Sequence, residues 1–269
     1  MKRARWLVAA GMGAVLLVGA ALALPVVRAY WRVRSSNPVR RGLEVAARSG
    51  CFSCHGPMGA AGVPDPALGE DVPPWTGGIF MMYVNGEEEV REYVLDGVST
   101  SRATSQSAKA ERERAAIRMP AFRGRLSSRE VDDVVAAFLV LSGMNRPHDG
   151  TPEARGLEIA EQHRCISCHA PGGSGGRSNP GSLTGFVPGW YGADFRDLVR
   201  DRGEFVAWVR EGRIERLREN PVARHFVRSQ AIQMPRYPGI SDADIDAVWE
   251  YVRWLGTTRG GLDAPSAVF

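Results

Sequence analysis

Cys51-Phe52-Ser53-Cys54-His55 returns as Cys165-Ile166-Ser167-Cys168-His169, and these two pentapeptides contain all four cysteines of the 269-residue chain. On a helical turn, residues three and four apart share a face, so each motif offers two thiols and an imidazole together. That set suits covalent attachment of a haem, the thiols adding to the porphyrin vinyl groups while the imidazole binds iron.

Other uses of a C-x-x-C pair fit less well. A zinc ribbon places its second pair roughly 15 to 20 residues after the first, whereas Cys54 and Cys165 are separated by a whole domain. A redox dithiol of the thioredoxin kind would sit among alternating strands and helices, a pattern absent here. Structural disulfides suit an exported chain, but they do not account for a histidine directly after the second cysteine in both motifs. The motifs predict two covalently attached c-type haems.

The surroundings of the motifs repeat with them, as a duplicated domain requires. Arg41-Gly42-Leu43-Glu44-Val45-Ala46 returns as Arg155-Gly156-Leu157-Glu158-Ile159-Ala160 at an offset of 114, the offset of the cysteines and of Pro66 with Pro180. Trp75 with Trp190, and Met119-Pro120 with Met234-Pro235, are offset by 115; Leu126 with Ile240 returns to 114. One unit has been duplicated, with single-residue slips between landmarks.

On these residues, each half resembles a class I cytochrome c domain, and the resemblance covers nearly everything after the N-terminal segment. It rests on a helix running into C-x-x-C-H, a loop with Pro66-Ala67-Leu68-Gly69 or Pro180-Gly181-Ser182-Leu183, a Met-Pro, and a terminal helix. The resemblance implies an all-α fold, two tandem helical domains each wrapped around one haem, and electron transfer as the activity. It implies His55 and His169 as proximal iron ligands, Met119 and Met234 as distal ones, and a proline carbonyl after each motif that holds the proximal ring. Pro66 and Pro180, each eleven residues past its histidine, are the expected carbonyls.

Methionine more often fills a core than binds iron, but of eight methionines only Met119 and Met234 precede proline and occupy equivalent places. The rival ligands His163 and His225 have no counterpart in the first half and read as surface residues. A thioether opposite an imidazole raises the potential relative to a second histidine, and a filled sixth position leaves no open site for peroxide. A dihaem peroxidase, which needs such a site, is therefore the weaker alternative. The stronger one is the cytochrome subunit of a larger membrane oxidoreductase. Trp75 and Trp190 are expected against the porphyrin, as propionate donors or as apolar bulk.

Apolar spacing predicts terminal helices over 130–141 and 243–255 and shorter helices over 87–95 and 204–210, stopped by Gly97 and Gly212. Gly42 and Gly156 sit in the first helix of each half, where another helix can approach closely. No strand period emerges. Between the middle helix and the methionine lie about twenty polar residues in each half, long for a compact domain. These inserts, at 98–118 and 213–233, depart from a minimal class I domain; 108–118 reads as a charged helix and 221–233 as containing another. The run 172–176 is expected to loop over the second haem.

The N-terminus carries Lys2, Arg3 and Arg5 ahead of an uncharged stretch from Trp6 to Val27, followed by Arg28, Arg32 and Arg34. That matches the roughly 20 residues of a bilayer span better than the apolar region of about 7 to 15 in a signal peptide, although Ala21-Leu22-Ala23 could be a cleavage site. The expected organisation is thus an N-terminal transmembrane helix with flanks at 1–34, a first domain at 35–147 and a second at 148–269. A single-pass anchor would hold the haem domains on the outer, periplasmic side of the cytoplasmic membrane, since this kind of haem attachment implies export. The formal net charge is +4, but six cations and no acids precede Ser35, which leaves −2 for residues 35–269. With no basic stripe remaining, nucleic acid is excluded as a partner. The expected partners are redox proteins docking through mixed local charge.

Overall fold

The computed structural model describes residues 37–190 and 192–258, with isolated positions between 12 and 27. The expected anchor falls almost wholly outside the described residues, and among these no helix is long and apolar enough to cross a membrane.

Both halves open in the same way. Helix α1 (Pro38–Arg48) is capped by Asn37, whose side chain accepts the Arg40 amide, and α7 (Pro152–Gln162) by Thr151, whose hydroxyl accepts the Ala154 amide. In each, proline follows the cap, where its missing N–H costs nothing. The haem motifs form single turns, α2 (Phe52–His55) and α8 (Ile166–His169). Middle helices α3 (Glu87–Asp96) and α10 (Arg202–Glu211) end on Gly97 and Gly212 in the left-handed conformation. Each half closes with its longest helix, α6 (Ser128–Leu141) and α13 (Asp242–Thr258). A full capping box starts α6: Ser127 accepts the Glu130 amide while the Glu130 carboxylate accepts the Ser127 amide.

The core of each domain is the crossing of its first and last helices, α1 on α6 and α7 on α13. Val131, Val134 and Val135 from α6, with Ile245, Val252 and Leu255 from α13, are at most 2% exposed. Each such side chain contributes about 1.5–3 kcal/mol by leaving water. The crossings are made at glycine: a Cβ on Gly42 would fall 1.8 Å from the Asp133 carbonyl oxygen, and one on Gly156 1.9 Å from that of Ala247. Arg41 then reaches Asp133 with a two-pronged ion pair at 2.7 and 2.8 Å.

The inserts are helical and are themselves duplicated. In the first half α4 (Thr100–Thr104) breaks at Ser105 into α5 (Gln106–Arg114); in the second α11 (Glu215–Glu219) breaks at Asn220 into α12 (Pro221–Ser229). Ser105 and Asn220 each cap the following helix and are 115 apart, the offset of the Met-Pro pairs. The remaining helix, α9 (Ala193–Leu198), lies ahead of α10. A two-residue hairpin, β1 (Pro64–Asp65) with β2 (Glu70–Asp71), is a departure from the strandless expectation.

Candidate functional site

The histidine of each motif sits at the end of its one-turn helix, with its ring packed beside the tryptophan that repeats with it: His55 to Trp75 is 5.9 Å between centroids and His169 to Trp190 is 5.1 Å. Both tryptophans are buried. Trp75 is fixed in turn by Phe52 and by the edge of Phe138 at 5.3 and 5.5 Å.

The acceptors for the histidines differ from the expectation. His55 Nδ1 donates to the Pro73 carbonyl at 2.7 Å and His169 Nδ1 to the Pro188 carbonyl at 2.9 Å. Pro66 and Pro180 are exposed and take no part. The Pro180 carbonyl accepts the Ala231 amide instead. Pro73 and Pro188 each precede the buried tryptophan by two residues and share its 115 offset, a signal present in the sequence. With Nδ1 committed to a carbonyl, each ring keeps one tautomer and turns Nε2 outward as a lone-pair donor. Burial pushes both imidazoles below their ordinary pKa, which holds them in that neutral, iron-binding form.

In the first half a single cavity is lined by Cys51, Cys54, His55 and Met119 together with Trp75 and Phe138. The insert closes part of it: Arg102, Arg112 and Arg118 are in its wall. Arg112 Nη1 is buried without a hydrogen-bond partner in the protein, an arrangement that costs free energy unless a ligand supplies an acceptor. A mostly apolar cavity with two thiols, a neutral imidazole, a thioether and an orphaned guanidinium N–H fits a haem and one of its propionates. When bound, haem supplies a one-electron ferric/ferrous couple.

The methionines are placed first by the two stop glycines. Gly97 lies so close to the Met119 carbonyl that a Cβ would stand 2.4 Å from it, and Gly212 repeats this with Met234 at 2.5 Å. Upstream, Asp65 is buried at 4% exposure and accepts the amides of Ile117 at 2.9 Å and Ala116 at 3.2 Å, two and three residues before Met119. Asn179, at the equivalent position, accepts the Ile232 amide at 2.7 Å and donates to the Ile232 carbonyl at 2.9 Å. This clamp ends α5 at Arg114, short of the 118 expected, because Asp65 takes the amides that would continue the helix. In the second half Tyr237 also ties the methionine strand to the motif, its hydroxyl donating to the His163 carbonyl at 3.3 Å. His163 packs its ring on Tyr237, and His225 is exposed on α12.

The two halves match two families. Residues 37–138 match the family described as cytochrome c oxidase, cbb3-type, subunit III, and residues 153–256 match the family described as cytochrome c. No curated protein and no solved structure matches the chain. Two cytochrome c domains in tandem, each with its own C-x-x-C-H, imply two covalently bound c-type haems and haem-based electron transfer. The chain belongs to the c-type cytochromes, as a dihaem member built from two successive cytochrome c domains.

Proposed function

We propose that both haems are ligated by histidine and methionine, His55 with Met119 and His169 with Met234, and that the chain relays electrons between protein partners at the outer face of the cytoplasmic membrane, tethered by residues 6–27. The observation that carries the ligand assignment is that Met119 lines the same cavity as Cys51, Cys54 and His55. Met234 inherits it through the repeat, since Gly212 and Asn179 hold its strand as Gly97 and Asp65 hold the first. A neutral thioether favours ferrous iron, so both sites would work at the upper part of the haem range. The tether is supported by the length of the uncharged stretch, and the compartment by the export that covalent haem attachment requires.

A second reading makes the chain the cytochrome subunit of a larger membrane oxidoreductase. It is favoured by the match of residues 37–138 to an oxidase subunit III.

Replacing Met119 or Met234 by Ala tests the ligands: each change should lower the potential of one haem and open it to added ligands. If neither change moves a spectrum or a potential, the assignment falls. Mild detergent extraction separates the two pathway readings, because a stoichiometric partner retained through purification supports the subunit and a chain purified alone supports the relay.

A further inference from the structure

The same turn occurs twice in this molecule in two different surroundings. In the second half, residues 171–176 lie beneath the first domain. Asn37 Nδ2 donates to the Ser174 carbonyl at 2.7 Å, in a buried contact between residues 137 apart in sequence. Val140, near the end of α6, stands 2.9 Å from where a Cβ on Gly172 would be, and Asn37 Nδ2 lies 2.9 Å from where one on Gly189 would be. The Arg40 guanidinium lies over the Phe186 ring at 5.7 Å. Ser174 is consequently 2% exposed and Gly175 is buried. In the first half the equivalent Ala60 and Ala61 are exposed, and the place of Gly172 is taken by Met58, 50% exposed in the same left-handed backbone, φ 55° against 59°.

The covered turn belongs to the proximal side of the second haem site. The Gly175 amide donates to the His169 carbonyl at 2.6 Å and the Trp190 amide to that of Gly173 at 2.8 Å. Gly189, against Asn37, directly follows the proline whose carbonyl orients His169. Ferric haem iron carries one more positive charge than ferrous, and keeping water away penalises the more charged state.

We propose that the first domain is a fixed cover over the proximal side of the second haem that raises its reduction potential, with Asn37 as the positioning residue that seats it. The inference needs a haem on His169 and does not depend on which side chain completes the distal side.

The molecule supplies two variants for the test. Asn37→Ser keeps the cap of α1, because serine caps as well as asparagine, but is too short to reach Ser174. Gly172→Met imports the first half's own residue into a backbone that accepts it there, and drives its Cβ into Val140. Redox titration of the full-length haem-loaded protein, with the two haems distinguished by paramagnetic NMR, is paired with hydrogen exchange of the Ser174 and Gly175 amides. The expected result is faster exchange and a lower second-haem potential in both variants, with the first haem unmoved. For Gly172→Met we expect about a tenfold fall in the ferrous-to-ferric ratio at fixed solution potential, about 59 mV for one electron. Faster exchange with an unchanged second potential, or both potentials moving together, would overturn the cover's electronic role. Unchanged exchange in both variants would overturn the seating role of Asn37.

Discussion

Asp65 Oδ2 accepts the backbone amide of Ile117 at 2.9 Å across 52 residues of chain, and this bond fixes the approach to Met119. Oδ1 of the same carboxylate accepts the amides of Ala67, Leu68 and Ala116, so one side chain joins the hairpin loop to the end of the insert. In the second half Asn179 makes the equivalent bond to Ile232 with an amide oxygen. The duplicated halves hold their methionine strands by the same geometry and by different chemistry, and only the first of the two clamps can titrate.

That difference predicts a one-sided acid response. The Ile117 amide, followed by those of Ala67, Ala116 and Leu68, holds the Asp65 carboxyl below the usual carboxylate range against the opposing effect of burial. A carboxyl depressed in the folded state contributes stability above its unfolded value of about 3.9 and loses it as pH falls through the lower folded value. Below about pH 4 the Ile117 amide should therefore lose exchange protection relative to the Ile232 amide. Asp65→Asn, which copies the second half, should make the two amides respond alike, and a wild-type ratio that stays constant through the acid range would refute the clamp's titration.

Arg112 should matter to the first haem and not to the second, since position 227 in the repeat is valine. Arg112→Gln removes a charge-assisted bond worth about 1.5–3 kcal/mol to a buried acceptor and a cation that offsets propionate charge. The first potential should fall while the second holds, and the loaded protein should melt earlier while the haem-free chain does not. Equal losses with and without haem would show that Arg112 serves only the protein fold.

The cysteines, both histidines and the duplicated frame were legible because covalent haem attachment demands a local spacing, and local spacing survives as identical letters at a constant offset. The partners of the histidines were harder to read, because any residue's carbonyl can accept an imidazole N–H and the choice of Pro73 over Pro66 is made by where the loop turns. The Asp65 and Asn179 clamp escaped notice because the two letters differ although their oxygens do the same work. Arg112 has no counterpart to mark it. The seat of the first domain on residues 172–176 is a tertiary contact: the run reads as a loop over the second haem, and nothing local in it names the first domain as what packs there.

The helix crossings give a stability prediction in which two local effects oppose each other. Gly42→Ala gains about 1 kcal/mol of helix propensity, yet its Cβ would stand 1.8 Å from the Asp133 carbonyl oxygen and 2.9 Å from the Ala137 Cβ. The helices must separate, and we expect a net loss of about 2 kcal/mol, an upper-end overpacking cost of about 3 less the propensity gain. Gly156→Ala should do the same to the second domain. Chemical unfolding measures both, and a variant as stable as wild type would mean that the crossing yields more easily than its geometry indicates.

Gly97→Ala and Gly212→Ala should each disturb one haem selectively. Both glycines hold left-handed backbone, φ 74° and 65°, where a side chain costs about 1–2 kcal/mol. Each added methyl would also press on the carbonyl of the methionine proposed as ligand, at 2.4 Å from that of Met119 or 2.5 Å from that of Met234. Gly69→Ala separates the two effects, because Gly69 has the same left-handed φ of 73° with nothing within 4 Å of its would-be Cβ. All three variants should lose stability, but only Gly97→Ala and Gly212→Ala should lower a haem potential and let added imidazole bind, the first haem in one case and the second in the other. Should Gly69→Ala produce the same spectral change as Gly97→Ala, backbone strain would be its cause, and the contact between Gly97 and Met119 would have no part in holding the ligand.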